Sequence, residues 1–295
     1  MINVKSDLKV SFEFFPPKNE QMEETLWKSL KRLEPLNPQF VSVTYGAMGN
    51  TRSRTHELVK KIIRKTSIQP AAHLTCVGSS IDEINEIAEN YWEDGVRHIV
   101  ALRGDSPVDI KQNILELKFA TDLIKVLKKV NDFEITVSAY PECHPESKNT
   151  EQDIDYLKKK IDLGATRAIT QFFFDNGVYL NFLNKVRKKN IKIPIIPGIL
   201  PITNCKRTLE FSKSMNCTIP SWLQNMFIGL DSDPETRKLV AANIAANQCK
   251  ELAKEGINEF HFYTLNRADL AWLGLAGLGW AWLGLAGLGW ALQQI

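Results

Sequence analysis

The chain has 295 residues, 44% of them hydrophobic and 24% charged, with a formal net charge of +3, ordinary figures for a globular protein with a substantial core. Lys and Arg are spread along the chain and form no block, which excludes a nucleic-acid protein whose affinity comes mainly from phosphate neutralisation. Five widely spaced cysteines (Cys76, Cys143, Cys205, Cys217, Cys249) with no C-x-x-C pair argue against a disulfide framework or a zinc site and suit a reducing compartment.

In chain order, short runs rich in Val, Ile, Phe and Thr predict strands at Val10–Phe15, Phe40–Tyr45, Gln69–Thr75, His98–Leu102, Glu134–Ala139, Ala168–Phe173, Ile193–Ile196 and Glu259–Tyr263. Between them, amphipathic patterns predict helices at Met22–Leu33, Arg54–Lys65, Ile81–Asp94, Leu115–Val130, Glu151–Leu163 and Tyr179–Lys189. A further helix over Pro234–Lys254 has Asp233 as N-cap, Pro234 in its first turn and Gly256 placed to end it. Met1–Lys9 lacks the apolar run of a signal peptide, so a cytoplasmic location is expected.

Strands alternating with helices imply βαβ units and a parallel sheet. Eight repeats favour a closed (β/α)8 barrel, typically about 250 residues, over a doubly wound sheet. No G-x-G-x-x-G follows a strand. Polar residues also recur at the C-terminal ends of many strands: Glu13, Thr44, His73, Arg103 with Asp105, Tyr140 with Glu142, Gln171, and Asn266 with Arg267. In a barrel these converge on one mouth, where active sites are built. The barrel is assigned to residues 1–269. Residues 270–295 carry no charge, and the decapeptide Ala271–Trp280 is repeated unchanged as Ala281–Trp290. That tract stands as an unusual last barrel helix, a membrane or oligomer contact, or a segment foreign to the protein. The perfect duplication favours the third reading, and no membrane association is assigned.

Several segments could carry chemistry. Alternation puts Phe12 and Phe14 on one face of their strand and Glu13 on the other, toward the lumen, as an acid or as a structural partner of a barrel Arg or Lys. After His98–Leu102, Arg103 offers a fork for phosphate, Gly104 allows close backbone approach, and Asp105 can accept from an amino-pyrimidine; an Arg103–Asp105 ion pair is the alternative. Tyr140 and His144, in a loop stiffened by two prolines, suit contact with a planar cofactor, and no second ligand cluster supports a metal there. Gln171 offers a donor and an acceptor between packing Phe residues, and Gly198 lets a ligand lie close. Arg267 could hold a carboxylate, and His261 reads as a core histidine.

Taken together, FEFFPP from Phe12, FVSVTYGA from Phe40, HLTC from His73, RHIVALRGD from Arg97, AYPECHPE from Ala139, RAITQFFFD from Arg167, IIPGILPI from Ile195 and FHFYTLNRA from Phe260 resemble the methylenetetrahydrofolate reductases of the short bacterial type. The resemblance runs from about Val4 to Asp269. It implies a (β/α)8 flavoenzyme that uses FAD and NADH or NADPH to reduce methylenetetrahydrofolate by ping-pong hydride transfer, feeding methionine synthesis. A homo-oligomer is expected, with no nucleic-acid partner. By the same resemblance Glu13 would be the general acid, and Asp105 would bind the pterin edge beside the flavin. Gln171 and Phe211 would contact both substrates in turn, and Arg207 and Arg267 would contact the folate. FAD would be held by Thr44, Tyr45, Ala47, His73, Arg103, Gly104, Asp105, Ala120, Tyr140, His144, Asp153 and Lys160. Close bacterial members differ at Ser147, Tyr156, Lys159 and Arg207, and in having an ordinary last helix after Leu270. The choice between NADH and NADPH is not legible, because no Rossmann acidic residue is there to read.

Overall fold

The computed structural model describes residues 8–45, 52–105, 116–202 and 205–277. Its strands are β1 (Lys9–Phe14), β2 (Phe40–Val43), β3 (Pro70–Thr75), β4 (His98–Leu102), β5 (Glu134–Ala139), β6 (Arg167–Thr170), β7 (Ile195–Ile196), β8 (Gly198–Ile199) and β9 (Glu259–Tyr263). All pair in parallel, in the order β7-β6-β5-β4-β3-β2-β1-β9-β8. β7 and β8 are two halves of one barrel strand. Pro197 separates them because it has no N–H to give the ladder, yet its carbonyl accepts from the His261 N–H at 3.0 Å. The first half pairs with β6 and the second with β9, so the sheet closes into an eight-membered (β/α)8 barrel.

Ten helices among the described residues follow the strands: α1 (Glu20–Leu33), α2 (Arg52–Lys65), α3 (Ile81–Glu93), α4 (Ala120–Val130), α5 (Thr150–Asp162), α6 (Asn176–Lys188), α7 (Cys205–Ser214), α8 (Ser221–Asn225), α9 (Pro234–Lys254) and α10 (Ala268–Gly277). Local sequence sets their starts. Asn19 accepts the Met22 N–H at 2.9 Å, Ser80 and Glu83 form a capping box, and Asp233 accepts the Thr236 N–H at 3.0 Å. Leu26, Leu30 and Leu33 line the buried face of α1, the i, i+4, i+7 spacing of an amphipathic helix.

The outward faces of the strands make the main core. Phe12, Phe14, Val41, Val43, Leu74, Ile99, Val137, Phe260 and Phe262 pack against the inner helix faces. Inward residues alternate with these. At the bottom of the lumen, Lys9 pairs with Glu259 at 3.2 Å and Arg167 with Glu134 at 2.5 Å, with Arg167 lying 5.4 Å from the Phe40 ring centroid. Above them Ser11 bonds His261 Nδ1 at 2.7 Å and Thr136 bonds His98 Nε2 at 2.7 Å, either side of the Phe40 ring. Phe40, Ala71, Val100, Ile169 and Ile196 supply the apolar part of this filling. The lumen is therefore a packed interior among the described residues.

The elements differ from the sequence expectations in several places. The strand expected over Ala168–Phe173 ends at Thr170, and the one expected over Ile193–Ile196 becomes the split pair around Pro197. The helix expected from Leu115 begins at Ala120, its amides capped by Asp122, which accepts the Phe119 N–H at 3.1 Å. Helices α7 and α8 were not expected, and a last barrel helix was one of three readings of the C-terminal tract. α10 takes the start of the duplicated tract into a helix packed on α1 and α9, burying Ala271 and Leu275. No described helix is long and apolar enough to cross a membrane, and the tract beyond Gly277 lies outside the described residues.

Candidate active site

β1 brings Glu13 into the upper lumen because its neighbours Phe12 and Phe14 take the outward face. The Glu13 carboxyl lies 3.5 Å from His73 Nε2 on β3, with side chains 14% and 9% exposed. Among the described residues no Arg or Lys pairs with it. Burial pushes the Glu13 carboxyl up to about 8 and the His73 imidazole down to about 3. Both groups therefore stand neutral near pH 7: a protonated acid faces an uncharged ring. Burial and the neighbouring Glu13 also raise the Tyr263 phenol, whose O–H donates to the Thr170 carbonyl at 2.8 Å.

The segment carrying Glu13 is clamped from β9. Thr264 Oγ1 donates to the Glu13 carbonyl at 2.6 Å, and the Asn266 side chain accepts the Phe15 N–H at 2.7 Å and donates to the Phe15 carbonyl at 2.9 Å. Leu265 and Asn266 both adopt positive φ, 50° and 60°, to make this turn. The motif FHFYTLNRA held these residues in sequence, but only barrel closure sets them on β1.

Around the mouth, Thr44 follows β2, its N–H bonded to the Phe14 carbonyl at 2.9 Å and its carbonyl accepting from Thr55 at 2.8 Å. Tyr45 is half-buried beside it, and Ala47 lies outside the described residues. After β4, Arg103 makes a two-pronged pair with Glu146 of the β5–α5 loop, one prong at 2.7 Å, so its partner is Glu146 and not Asp105. Gly104 has φ 87°, and a Cβ there would sit 2.9 Å from Thr75 Cβ, so the turn demands glycine on both counts. Asp105 is exposed.

The β5–α5 loop stacks Tyr140 edge-on against His144, ring centroids 4.6 Å apart. Asp153 of α5 accepts the His144 N–H at 3.0 Å, and His144 Nδ1 accepts the Glu146 N–H at 3.1 Å, leaving Nε2 as the protonated nitrogen of the neutral ring. Lys160 donates to the Ser138 carbonyl at 2.7 Å, and burial lowers its amine to about 8. Ala120 opens α4. Gln171 is half-buried just past β6, its N–H bonded to the Ala139 carbonyl at 2.8 Å, and Phe172, Phe173 and Phe174 beside it are buried packing. Phe211 on α7 stacks on Phe172 at 5.5 Å with 47% of its surface exposed. Arg207 lies one turn earlier on α7, its side chain outside the described set, and Arg267 is exposed after β9. His261 is buried with Nδ1 bonded to Ser11, while its Nε2 has no partner among the described residues.

Gly198 corrects one expectation. A Cβ there would meet the Thr170 carbonyl oxygen at 2.2 Å and Tyr263 Cε2 at 2.7 Å, so the space it vacates is filled by the protein's own chain and not by a ligand. Among the described residues no group of His, Cys, Asp and Glu is arranged to hold a metal ion.

The family model for methylenetetrahydrofolate reductase matches residues 1–276. The chain belongs to that family. It is 50% identical over 272 residues to a 5,10-methylenetetrahydrofolate reductase of Pectobacterium carotovorum subsp. carotovorum, covering 92% of this chain and 90% of that one. It is equally 50% identical to the enzyme of that name from Escherichia coli K12, covering 92% and 91%. Among solved structures, a protein from Clostridium thermocellum described as binding two copies of 5-methyl-5,6,7,8-tetrahydrofolic acid aligns with a TM-score of 0.59 at 18% identity, covering 93% of this chain and 94% of that one. At that identity the likeness speaks to the barrel alone. As a methylenetetrahydrofolate reductase family member the chain is an oxidoreductase, and the family match ends one residue short of the end of α10.

Proposed function

We propose that this protein reduces 5,10-methylenetetrahydrofolate to 5-methyltetrahydrofolate with electrons from NADH or NADPH, through bound FAD in two half-reactions. The observation that carries the reading is the placement of Glu13: a buried carboxyl 3.5 Å from His73 Nε2 at the C-terminal end of a barrel strand, where burial pushes it up to about 8. Opening the imidazolidine ring breaks a C–N bond, and the departing nitrogen needs a proton. A carboxyl with its pKa near the working pH is suited to give one. The methylene carbon is then an iminium carbon ready for hydride.

The residues also fit the cofactor. Lys160 spends one N–H on Ser138 and keeps two for an anion, and the desolvated amine would regain full charge beside a diphosphate. Arg103, whose fork is paired with Glu146, would add a second cation, and Thr44, Tyr45, Ala47, His73, Gly104, Ala120, Tyr140, His144 and Asp153 complete the proposed FAD set. Bound flavin would accept hydride from nicotinamide and give it to the folate. Asp105 would hold the pterin edge, Gln171 and Phe211 would contact each substrate in turn, and Arg207 and Arg267 would steady the folate. We place this activity in the cytoplasm, in a homo-oligomer, as the supply of methyl groups for methionine synthesis.

Anaerobic mixing of the FAD-loaded protein with each nicotinamide, followed by reoxidation with methylenetetrahydrofolate, tests the scheme. Glu13→Gln should keep flavin reduction and slow reoxidation by about 10²–10⁴-fold. Equal loss of both half-reactions would assign Glu13 to structure and overturn the mechanism.

A further inference from the structure

Glu142 sits in the middle of the Ala139–Glu146 motif, yet the proposed reaction gives it nothing to do. Both of its carboxylate oxygens accept the Thr218 N–H at 3.0 Å. Across the same junction the Asn216 amide Nδ2 donates to the carbonyls of Glu142 and Cys143, each at 3.3 Å. These contacts strap the β5–α5 loop to the turn that follows α7. Both ends of the strap hold non-glycine residues in the left-handed region, Cys143 at φ 81° and Asn216 at φ 54°. Such backbone persists only where its surroundings over-determine it.

The strap joins two sides with different internal contacts. The loop is fixed independently by Asp153 on the His144 N–H, by His144 Nδ1 on the Glu146 N–H, and by the Arg103–Glu146 pair. The described buried side chains of helix α7, Thr208 and Ser212, are polar, and its aromatic contact is the half-exposed Phe211 on Phe172. Its C-terminus closes with the Cys217 N–H on the Ser212 carbonyl at 2.9 Å, with Asn216 in the left-handed capping position. The strap therefore grips α7 at its cap, about one turn beyond Phe211. The loop thus holds the helix at its C-terminal cap.

On the reading of Phe211 and Arg207 as substrate contacts, which this deepens, we infer that Glu142 and Asn216 are positioning residues that hold α7 over the barrel mouth. Each substrate then meets a helix already in place. Releasing the strap spreads α7 over more orientations, which weakens binding and leaves the chemistry of correctly bound complexes intact.

The test uses the full-length FAD-loaded protein and three variants: Glu142→Ala, Glu142→Gln, which keeps one acceptor oxygen, and Asn216→Gly, which keeps the left-handed backbone and loses the amide. Glu142→Ala should raise the KM for methylenetetrahydrofolate roughly tenfold with kcat within about twofold. Asn216→Gly should act in the same direction and Glu142→Gln should restore most of the loss. Hydrogen exchange over residues 205–214 should quicken in the order Ala above Gln above wild type, with α5 unchanged and the flavin content full. Unchanged KM and unchanged exchange in α7 would overturn the inference. Matched falls in kcat, flavin content and thermal stability would overturn it too, since they would mark the strap as support for the whole fold. If the wild-type protein turned over no methylenetetrahydrofolate, the functional reading would fail, and the exchange order alone would decide whether the strap holds α7.

Discussion

Replacing Glu13 with Gln exchanges a carboxyl for an amide of nearly the same shape that cannot ionise. In the fold this carboxyl is held up to about 8, against an ordinary value of 4.5. Between those values the native state keeps a proton that the unfolded chain has released, so stability falls as pH rises through the window. The slope is up to about 1.4 kcal/mol per pH unit for one proton. His73, lowered to about 3, destabilises the fold below 6.5, but both proteins carry it and it cancels in their difference. The Glu13 side chain is 14% exposed, so solvent screens little of the effect. Urea unfolding of wild type and Glu13→Gln at pH 5.5, 6.5 and 7.5, with flavin saturating in both, should show the variant gaining about 2–3 kcal/mol on wild type over that range. The gain should flatten above pH 8. If the two stabilities run parallel with pH, the carboxyl is ionised in the fold and cannot serve as the acid.

Three other outcomes follow from the same geometry. His73, His98 and His261 are each lowered to about 3 by burial, so the unfolded chain binds up to three more protons below 6.5. Stability should drop by up to about 4 kcal/mol per pH unit below that point, and a fluorescence-monitored acid titration should unfold the protein above pH 4; a native signal persisting at pH 3 would contradict it. Gly198→Ala drives a methyl to within 2.2 Å of the Thr170 oxygen and should cost about 3 kcal/mol or more, seen as lost soluble yield or a lowered Tm. Lys160→Met removes the buried amine and should weaken FAD binding on the order of tenfold or more, measured by flavin fluorescence, with the barrel intact by circular dichroism.

Much of the barrel was legible because its signals are local. Alternation around Glu13 separates lumen from core without any partner, and the Asp233 cap fixes α9 from three consecutive residues. What could not be read is what depends on closure. Pro197 looked like the end of a strand, yet it is the middle of one, since the two halves serve different neighbours. α7 and α8 lack a run of apolar residues at helical spacing long enough to declare itself. An ion pair with Asp105, two residues away, was the alternative weighed for Arg103, but its partner is Glu146, and nothing in either motif encodes that pairing.

The acidity of Glu13 belongs to this second kind. Its motif places a carboxyl on the inner face of β1 and says nothing of its charge. The charge state follows from β1 lying between β2 and β9, with Glu13 in register with Ser42 on one side and Tyr263 on the other. β9 in turn is held by β8, which exists as a separate half-strand because Pro197 interrupts the ladder and Gly198 lets Thr170 come close. Without that last pairing the ring would stay open beside Tyr263, water would reach the carboxyl, and its pKa would fall toward the ordinary carboxylate range. A glycine on the far side of the seam is thus part of what keeps a proton on residue 13, which ties the fold's closure to the chemistry proposed for its mouth.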